Sequence, residues 1–587
     1  MNRVVSVARP GLTRAALRVA LLVLGAAAVM LPGQSQANDF CPDVYEGGVL
    51  PLNFNPAFMH IDSFNAPNGN SYDGLVITSF FNAIKDPQGL GSIAFFQRDL
   101  VARITGIGYR SPSWFNANRD VELLTDLALP SIVEPLPLGS ALPTNSGPGQ
   151  QVWPNEAQRV PDGILPFEAI VSPQGFHPTP EPGRLTLINL DDPGRTEYLI
   201  DQSTQAGGSC SNDPNFNPNN NPRFYHLVKW FDMDGDALKD AVTVRSGFKV
   251  SGTFCIAPVG EVVWFKNPGG ALDPNTPWDE NVVAGFPSLP GGFGGMGAAD
   301  ISLDVTDLEN DGIPEVVGGN FFTGEMITLY GAPVGENWTD VDVTTNPARF
   351  AQISTDQGAV FQASFVDLNR DGKMDVLATN HQSDGCFRRT QDVIPGRVYA
   401  LEQPANGDIF GSPWITHILK DDIRPNPTYP APLVNGVPDP AGPGRLAPGL
   451  AQIMWPTPWD EYFYRPWILV GGDEASQVWL LKPNDPNANS TDWTYSSAVI
   501  FDINDYYGAN TTQSLTAPAP ATGVSISTIG GPAWHYDRDW SQPWGSYAEI
   551  YIPVFEGRDI HRITFRPRAA AQKVVCPPDG ALACPVF

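Results

Sequence analysis

The stretch FVDLNRDGKMDVLAT, Phe365–Thr379, sets oxygen-bearing side chains at alternate positions of a tight loop, Asp367, Asn369 and Asp371. Gly372 follows, and Asp375 opens an apolar run. FDMDGDALKDAVTV from Phe231 and VTDLENDGIPEVVGG from Val305 repeat the pattern. All three place oxygen donors at loop positions 1, 3, 5 and 9 before a β-like segment, and their first donors are 75 and 60 residues apart. Position 6 is glycine in two loops and Ala237 in the other. A second apolar segment follows each loop: GEVVWFKNPGG from Gly260, GEMITLYGAP from Gly324 and GRVYALEQPA from Gly396, with PWITHIL from Pro413 closing the last unit. The repeating unit is therefore strand, acidic loop, strand, variable loop, strand, turn, strand. One such unit cannot bury both its faces, so several must pack around an axis, which is the construction of a propeller.

Other parts of the chain fit the unit without its acidic loop. YDGLVITSFF and GSIAFFQRD, within 72–99, read as a first blade, and GRLTLINL with GRTEYLID, around 183–201, as a divergent second. RPWILVGGDEASQVWLLKP from Arg465 reads as a sixth and SYAEIYIPVFEGRDIHRITF from Ser546 as the last. The expectation is an all-β fold, a single β-propeller of about seven four-stranded blades over residues 38–587, with six or eight as alternatives. The Pro-, Gly- and Asn-rich stretches near 137–155, 210–223, 424–449 and 514–523 then become loops rather than domain linkers. Propellers close by pairing a strand from one terminus with the blade made by the other, which would bring Cys41 beside the last blade.

Composition agrees. Gly 57 and Pro 58 in 587 residues, with 11% aromatic residues, suit short strands and many turns. A net charge of −28 excludes the basic stripe a nucleic-acid binder needs and disfavours an anionic membrane surface. At the N-terminus Arg3, Arg9, Arg14 and Arg18 precede an apolar run of 13 residues, Val19–Leu31, and the small-residue pattern Ser35-Gln36-Ala37. Residues 1–37 read as a signal peptide, too short to span a bilayer, so the chain is expected to be secreted or periplasmic with no membrane span. Loss of the four arginines would take the charge from −28 to −32, which a hard cation would relieve. Six cysteines, at 41, 210, 255, 386, 576 and 584, then read as disulfide partners. Cys576 with Cys584 and Cys210 with Cys255 are the favoured pairs among fifteen pairings, and no CxxC marks a metal or redox site.

The acidic loops resemble the DxDxDGxxD pattern of the FG-GAP or VCBS repeat family, whose members look like integrin-type calcium-binding β-propellers. The resemblance is clear across residues 224–420 and rests on strand pattern elsewhere. It implies calcium held by Asp232, Asp234, Asp236 and Asp240, by Asp307, Glu309, Asp311 and Glu315, and by Asp367, Asn369, Asp371 and Asp375, with backbone carbonyls at Leu238, Ile313 and Lys373. Ala237, and Glu309 with Glu315 in place of the usual Asp, depart from the pattern. In this family the acidic loop joins the first two strands of a blade, which puts the second-to-third-strand loops on the opposite face. That face is expected to bind an extracellular ligand, a polysaccharide or surface glycan, through Asn320, Asp473, Glu474 and His226, with Phe321, Phe322 and the loop 380–389 nearby.

The alternative is a polysaccharide lyase or another carbohydrate-active enzyme on the same scaffold, and a lyase needs a cation against a uronate carboxylate and a His or Tyr to move the C5 proton. His381 with Arg388 and Arg389 offers both on one loop. Tyr225, His226 and Lys229, and His535 with Tyr536, are further candidates. The sequence has no GxSxG elbow, HExxH, GxxxxGK[ST] loop or dinucleotide fingerprint. WPTPWDEYFYRPW, Trp455–Trp467, is the densest aromatic run, open to reading as a sugar-stacking platform or as packing between blades.

Overall fold

The structure is a computed structural model. It describes residues 42–51, 56–65, 71–79, 101–105, 122–123, 155–175, 183–192, 196–202, 223–251, 254–270, 272–285, 298–321, 325–383, 395–425, 433–434, 437–438, 446–507, 512–513, 524–525, 528–536, 546–555, 557 and 559–565. The expected signal peptide, Arg388, Arg389 and Cys41, Cys210, Cys386, Cys576 and Cys584 lie outside these residues. Cys255 lies on a strand, but its side chain is not among those described, so neither disulfide pairing is addressed.

Apolar runs of five to seven residues, too short for core helices and rich in Val, Ile and Tyr, make the middle strands. Glu315–Gly319, Ile327–Gly331 and Ala548–Val554 are buried along their whole length. A strand buried on both faces needs a sheet against each, and the fold supplies them: seven four-stranded antiparallel sheets. Their first strands are Pro56–Asn65, Gln158–Arg159, Phe224–Phe231, Ser302–Thr306, Val360–Val366, Ala451–Met454 and Ala533–Tyr536. The expected seven blades are therefore present. Of the segment read as the first blade, YDGLVITS lies in that blade's second strand, Ser71–Ser79, with Pro56–Asn65 preceding it as the innermost strand, and GSIAFFQRD lies outside the described residues.

The core is a series of seams between blades rather than one centre. Val242, Val262 and Trp264 of blade 3 pack on Leu303, Val316 and Tyr330 of blade 4. Val317 and Leu329 of blade 4 pack on Val376 and Tyr399 of blade 5. Leu377 and Val398 of blade 5 meet Ile468 and Trp479 of blade 6, and Leu469 and Leu480 of blade 6 meet Ile550 and Ile563 of blade 7. Each such aliphatic side chain stabilises the ring by roughly 1.5–3 kcal/mol relative to exposure.

The ring closes as expected. Blade 7 takes its outermost strand from the N-terminal end: Tyr45–Pro51 runs antiparallel to Asp559–Thr564, from Tyr45 opposite Thr564 to Pro51 opposite Asp559. Blades 1 and 7 also meet at the centre, where Gly531 N donates to Ala57 O at 2.9 Å. A Cβ on the neighbouring Gly530 would stand 1.8 Å from Ala57 O, so glycine is required by this approach.

Candidate functional site

In blades 3, 4 and 5 the acidic loop joins the first strand to the second, so all three loops lie on one face. They share one geometry. The position-1 carboxylate accepts the N–H groups of positions 5 and 6: Asp232 from Asp236 and Ala237, Asp307 from Asp311 and Gly312, Asp367 from Asp371 and Gly372, all at 2.8–3.1 Å. The position-5 carboxylate accepts the N–H of position 7, at 2.9 Å from Leu238, Ile313 and Lys373. Position 9 accepts the N–H of position 2, from Met233, Leu308 and Leu368. Positions 4 and 6 take left-handed backbone in every loop, with φ of 77° and 69° at Gly235 and Ala237, 55° and 86° at Asn310 and Gly312, and 58° and 88° at Arg370 and Gly372.

Position 9 is the buried end of each loop: Asp240, Glu315 and Asp375 are at most 1% exposed. Burial pushes Asp240 up to about 6 and Glu315 and Asp375 up to about 7, and neighbouring carboxylates push the same way. Basic side chains offset this charge in two loops. Lys266 Nζ bonds Asp234 and Asp236, and Arg349 reaches Glu309 at 3.0 Å. Among the described residues no Lys or Arg pairs with the carboxylates of the third loop, whose Lys373 turns away to the Ala405 carbonyl. Ligand atoms of Asp232, Asp234 and Asp240 all lie within 4.8 Å of one another. The donor set, carboxylate and amide oxygens on a short turn, suits a hard cation.

The opposite face carries a second assembly. His226 of blade 3 touches Phe58 of blade 1 (ring centroids 5.6 Å apart) and Phe361 of blade 5 (6.2 Å). Contact among three non-adjacent blades places these rings on the propeller axis. Phe361 packs on His381 at 4.4 Å, and Phe321 of blade 4 touches both, at 6.2 and 5.6 Å. Each histidine has an acidic neighbour: His226 Nδ1 lies 3.4 Å from Glu156, and His381 Nε2 lies 3.2 Å from Asp473 Oδ2. Burial acts upward on the Glu156 carboxyl, but the adjacent His226, with His60 and Lys229 farther off, outweighs it and holds the carboxyl below its ordinary value. Lys229 Nζ lies 3.3 Å from Asp304, whose charge raises the ammonium above its usual range against burial. Asp473 sits at φ 48°, an uncommon conformation for a non-glycine residue, in the turn between the second and third strands of blade 6.

No family model matches the chain, and no curated protein matches it. Solved structures do resemble it. An α-L-arabinanase of Cellvibrio cellulosa is 14% identical over 57% of this chain and 92% of its own, with a TM-score of 0.28. A GH93 α-L-arabinofuranosidase of Fusarium graminearum, solved with arabinobiose, is 9% identical over 89% and 97%, with a TM-score of 0.34. The V. cholerae biofilm matrix protein Bap1 is 12% identical over 92% and 65%, with a TM-score of 0.28. Likeness at this level carries no information on ligand or activity.

Of the residues expected on the ligand face, His226, His381 and Asp473 come together at the axis. Asn320 is buried, and its amide donates to the Ala298 carbonyl at 2.9 Å, bracing one blade connection. Glu474 is also buried, 5% exposed. Tyr225 points away from the axis into the seam with blade 2, where its hydroxyl bonds Asp201. His535 pairs with Tyr551 at 3.1 Å inside blade 7. Sequence reasoning missed Phe58, Glu156 and Phe361, which lie in different blades and share no motif. It also missed a repeated tryptophan in the turn between third and fourth strands, Trp278, Trp338, Trp414 and Trp493, each at most 8% exposed. The signal was available, since three of the four stand ten residues after a proline, at Pro268, Pro404 and Pro483. Trp338 Nε1 donates to Pro314 O at 2.8 Å, tying that turn to the acidic loop.

Proposed function

We propose that the chain is a secreted, calcium-stabilised propeller of the FG-GAP or VCBS type that binds an extracellular carbohydrate at the axial end opposite its acidic loops. The observation that carries this reading is the axial group of Phe58, His226, Phe321, Phe361 and His381 with the acids Glu156 and Asp473. Apolar rings interleaved with a few oriented polar groups are what a sugar, with its C–H faces and hydroxyl rim, requires. In this reading calcium is structural. It sits in the loops on the other face, held by Asp367, Asn369, Asp371 and Asp375 most readily because that loop's carboxylates have no basic partner among the described residues. When bound, the ion neutralises the carboxylates and ties the first strand to the second.

The test is a binding screen of the purified mature chain against neutral and acidic polysaccharides, with calcium and with chelator, while ultraviolet absorbance is read for unsaturated products. Binding that falls tenfold or more in Phe361→Ala and His381→Ala is expected. Full affinity in both variants would remove the axis from the ligand site. The lyase reading is favoured by one observation, the His381–Asp473 contact at 3.2 Å, which orients the imidazole as a base orienter does. In that case His381 takes the C5 proton, the C4=C5 double bond forms as the C4–O bond breaks, the leaving oxygen takes a proton from water, and absorbance rises in the wild type and not in His381→Ala.

A further inference from the structure

In blade 6 the link between first and second strands is not an acidic loop. It holds the short helix Pro458–Phe463, and no residue of that helix is buried. Trp459 is 54% exposed, Tyr462 75%, Phe463 43% and the adjacent Tyr464 38%. The other large exposed hydrophobics among the described residues, such as Val334 and Ile415, stand singly in other elements. Trp459 and Tyr462 both pack on Phe463, with ring centroids 4.4 and 4.7 Å away, so the rings form one continuous surface.

This surface is braced from three sides. Thr457 caps the helix by accepting from Asp460 N at 3.2 Å, and Pro458 opens it. Arg370, from the acidic loop of blade 5, donates to the carbonyls of Glu461 at 2.7 Å and Tyr464 at 2.8 Å. Trp455 Nε1 donates to the same Tyr464 carbonyl at 3.0 Å. From blade 7, Tyr536 donates to Glu461 Oε2 at 2.9 Å. A cluster of exposed aromatic rings on a helix fixed by blades 5, 6 and 7 is built for contact, because loose rings would fold down onto the protein.

We propose that the Trp459–Tyr464 surface is a second carbohydrate site, a stacking platform for a neutral polysaccharide, on the face opposite the axial group. Charge selects that occupant. Asp460 and Glu461 flank the rings, the Arg370 guanidinium of the adjoining loop is engaged by the Glu461 and Tyr464 carbonyls, and the chain carries −28, so anionic lipids and uronate polymers are disfavoured. A neutral glycan lays its C–H faces on the rings and donates its hydroxyls to the carboxylates. The proposal shares only the ligand class with the axial reading and depends on separate residues.

The experiment is calorimetric titration and affinity electrophoresis of the full mature chain with a soluble neutral glucan, galactomannan and xylan. Polygalacturonate and phosphatidylcholine vesicles, with and without phosphatidylglycerol, are run beside them. At least one neutral polymer binds and shifts tryptophan emission to the blue. Trp459→Ala and Tyr462→Ala each weaken this binding tenfold or more, while both variants keep the cooperative unfolding transition of the wild type. Trp459→Phe retains most of it, and Val334→Ala, at an exposed residue of neither site, leaves it intact. No binding to any neutral polymer, or full affinity in both platform variants, overturns the proposal. So does vesicle binding or self-association that the platform variants alone abolish. Loss of binding only in His381→Ala defeats the platform and leaves the axial site standing, and the reverse pattern does the opposite.

Discussion

Ala237 stands at φ 69°, where a Cβ crowds its own backbone, while the equivalent positions of the other two loops are Gly312 and Gly372. Left-handed backbone costs a non-glycine residue roughly 1–2 kcal/mol. Ala237→Gly should therefore raise stability by about 1 kcal/mol, read as a higher thermal midpoint, and an unchanged or lower midpoint would contradict the loop geometry. Arg245 marks the opposite case. It is fully buried, with a forked pair of bonds to Glu280 at 2.7 and 2.6 Å and another to Glu261 at 2.8 Å. Arg245→Ala should cost roughly 2–3 kcal/mol in chemical denaturation, because it empties a buried space and leaves Glu261 and Glu280 only the longer contacts from Arg223, at 3.6 and 3.8 Å. The first of these residues was conspicuous in the sequence, as a departure from its own repeat. The second was not, since its partners lie 16 and 35 positions away on other strands.

At the scale of the element, the acidic loops were legible because their donors fall within nine consecutive residues, and a short-range pattern survives without knowledge of the fold. The axial group was legible only in pieces. His226, His381 and Asp473 stood out as polar residues near loops, whereas Phe58 and Phe361 look like any strand residue until the ring closes. The loops also make a pH prediction. Asp240, Glu315 and Asp375 have folded-state values raised to about 6, 7 and 7, above their unfolded values near 4. The folded chain then holds protons that the unfolded chain releases first, so this contribution is present below about pH 4 and is lost as pH rises toward 7. In chelator the thermal midpoint should fall across that interval. Calcium, by competing with those protons, should flatten the profile, and Asp371→Ala should remove part of the calcium-induced rise. A chelated profile that climbs from pH 4 to 7 would show the position-9 carboxylates ionised in the folded chain.

At the scale of the molecule, the blade count was readable from repetition, and the closing strand from the general need to hide a sheet edge. The innermost strand of blade 1, Pro56–Asn65, is not marked in the sequence, because its apolar run stops at Met59, and His60, Asp62 and Ser63 follow within the strand. Closure at the centre depends on Gly530, where a methyl group would meet the Ala57 carbonyl. Gly530→Ala should lower stability by roughly 1–3 kcal/mol, measured by denaturant midpoint, through separation of blades 1 and 7. The same joint governs the order of assembly. Tyr45–Pro51 leaves the ribosome about 500 residues ahead of its partner Asp559–Thr564. At about 5–20 residues per second the early strand waits roughly 25–100 s, with its hydrogen-bonding edge open to any other chain. The ring can close only after the strands of all seven blades have been made, and a holding factor has that whole interval in which to act.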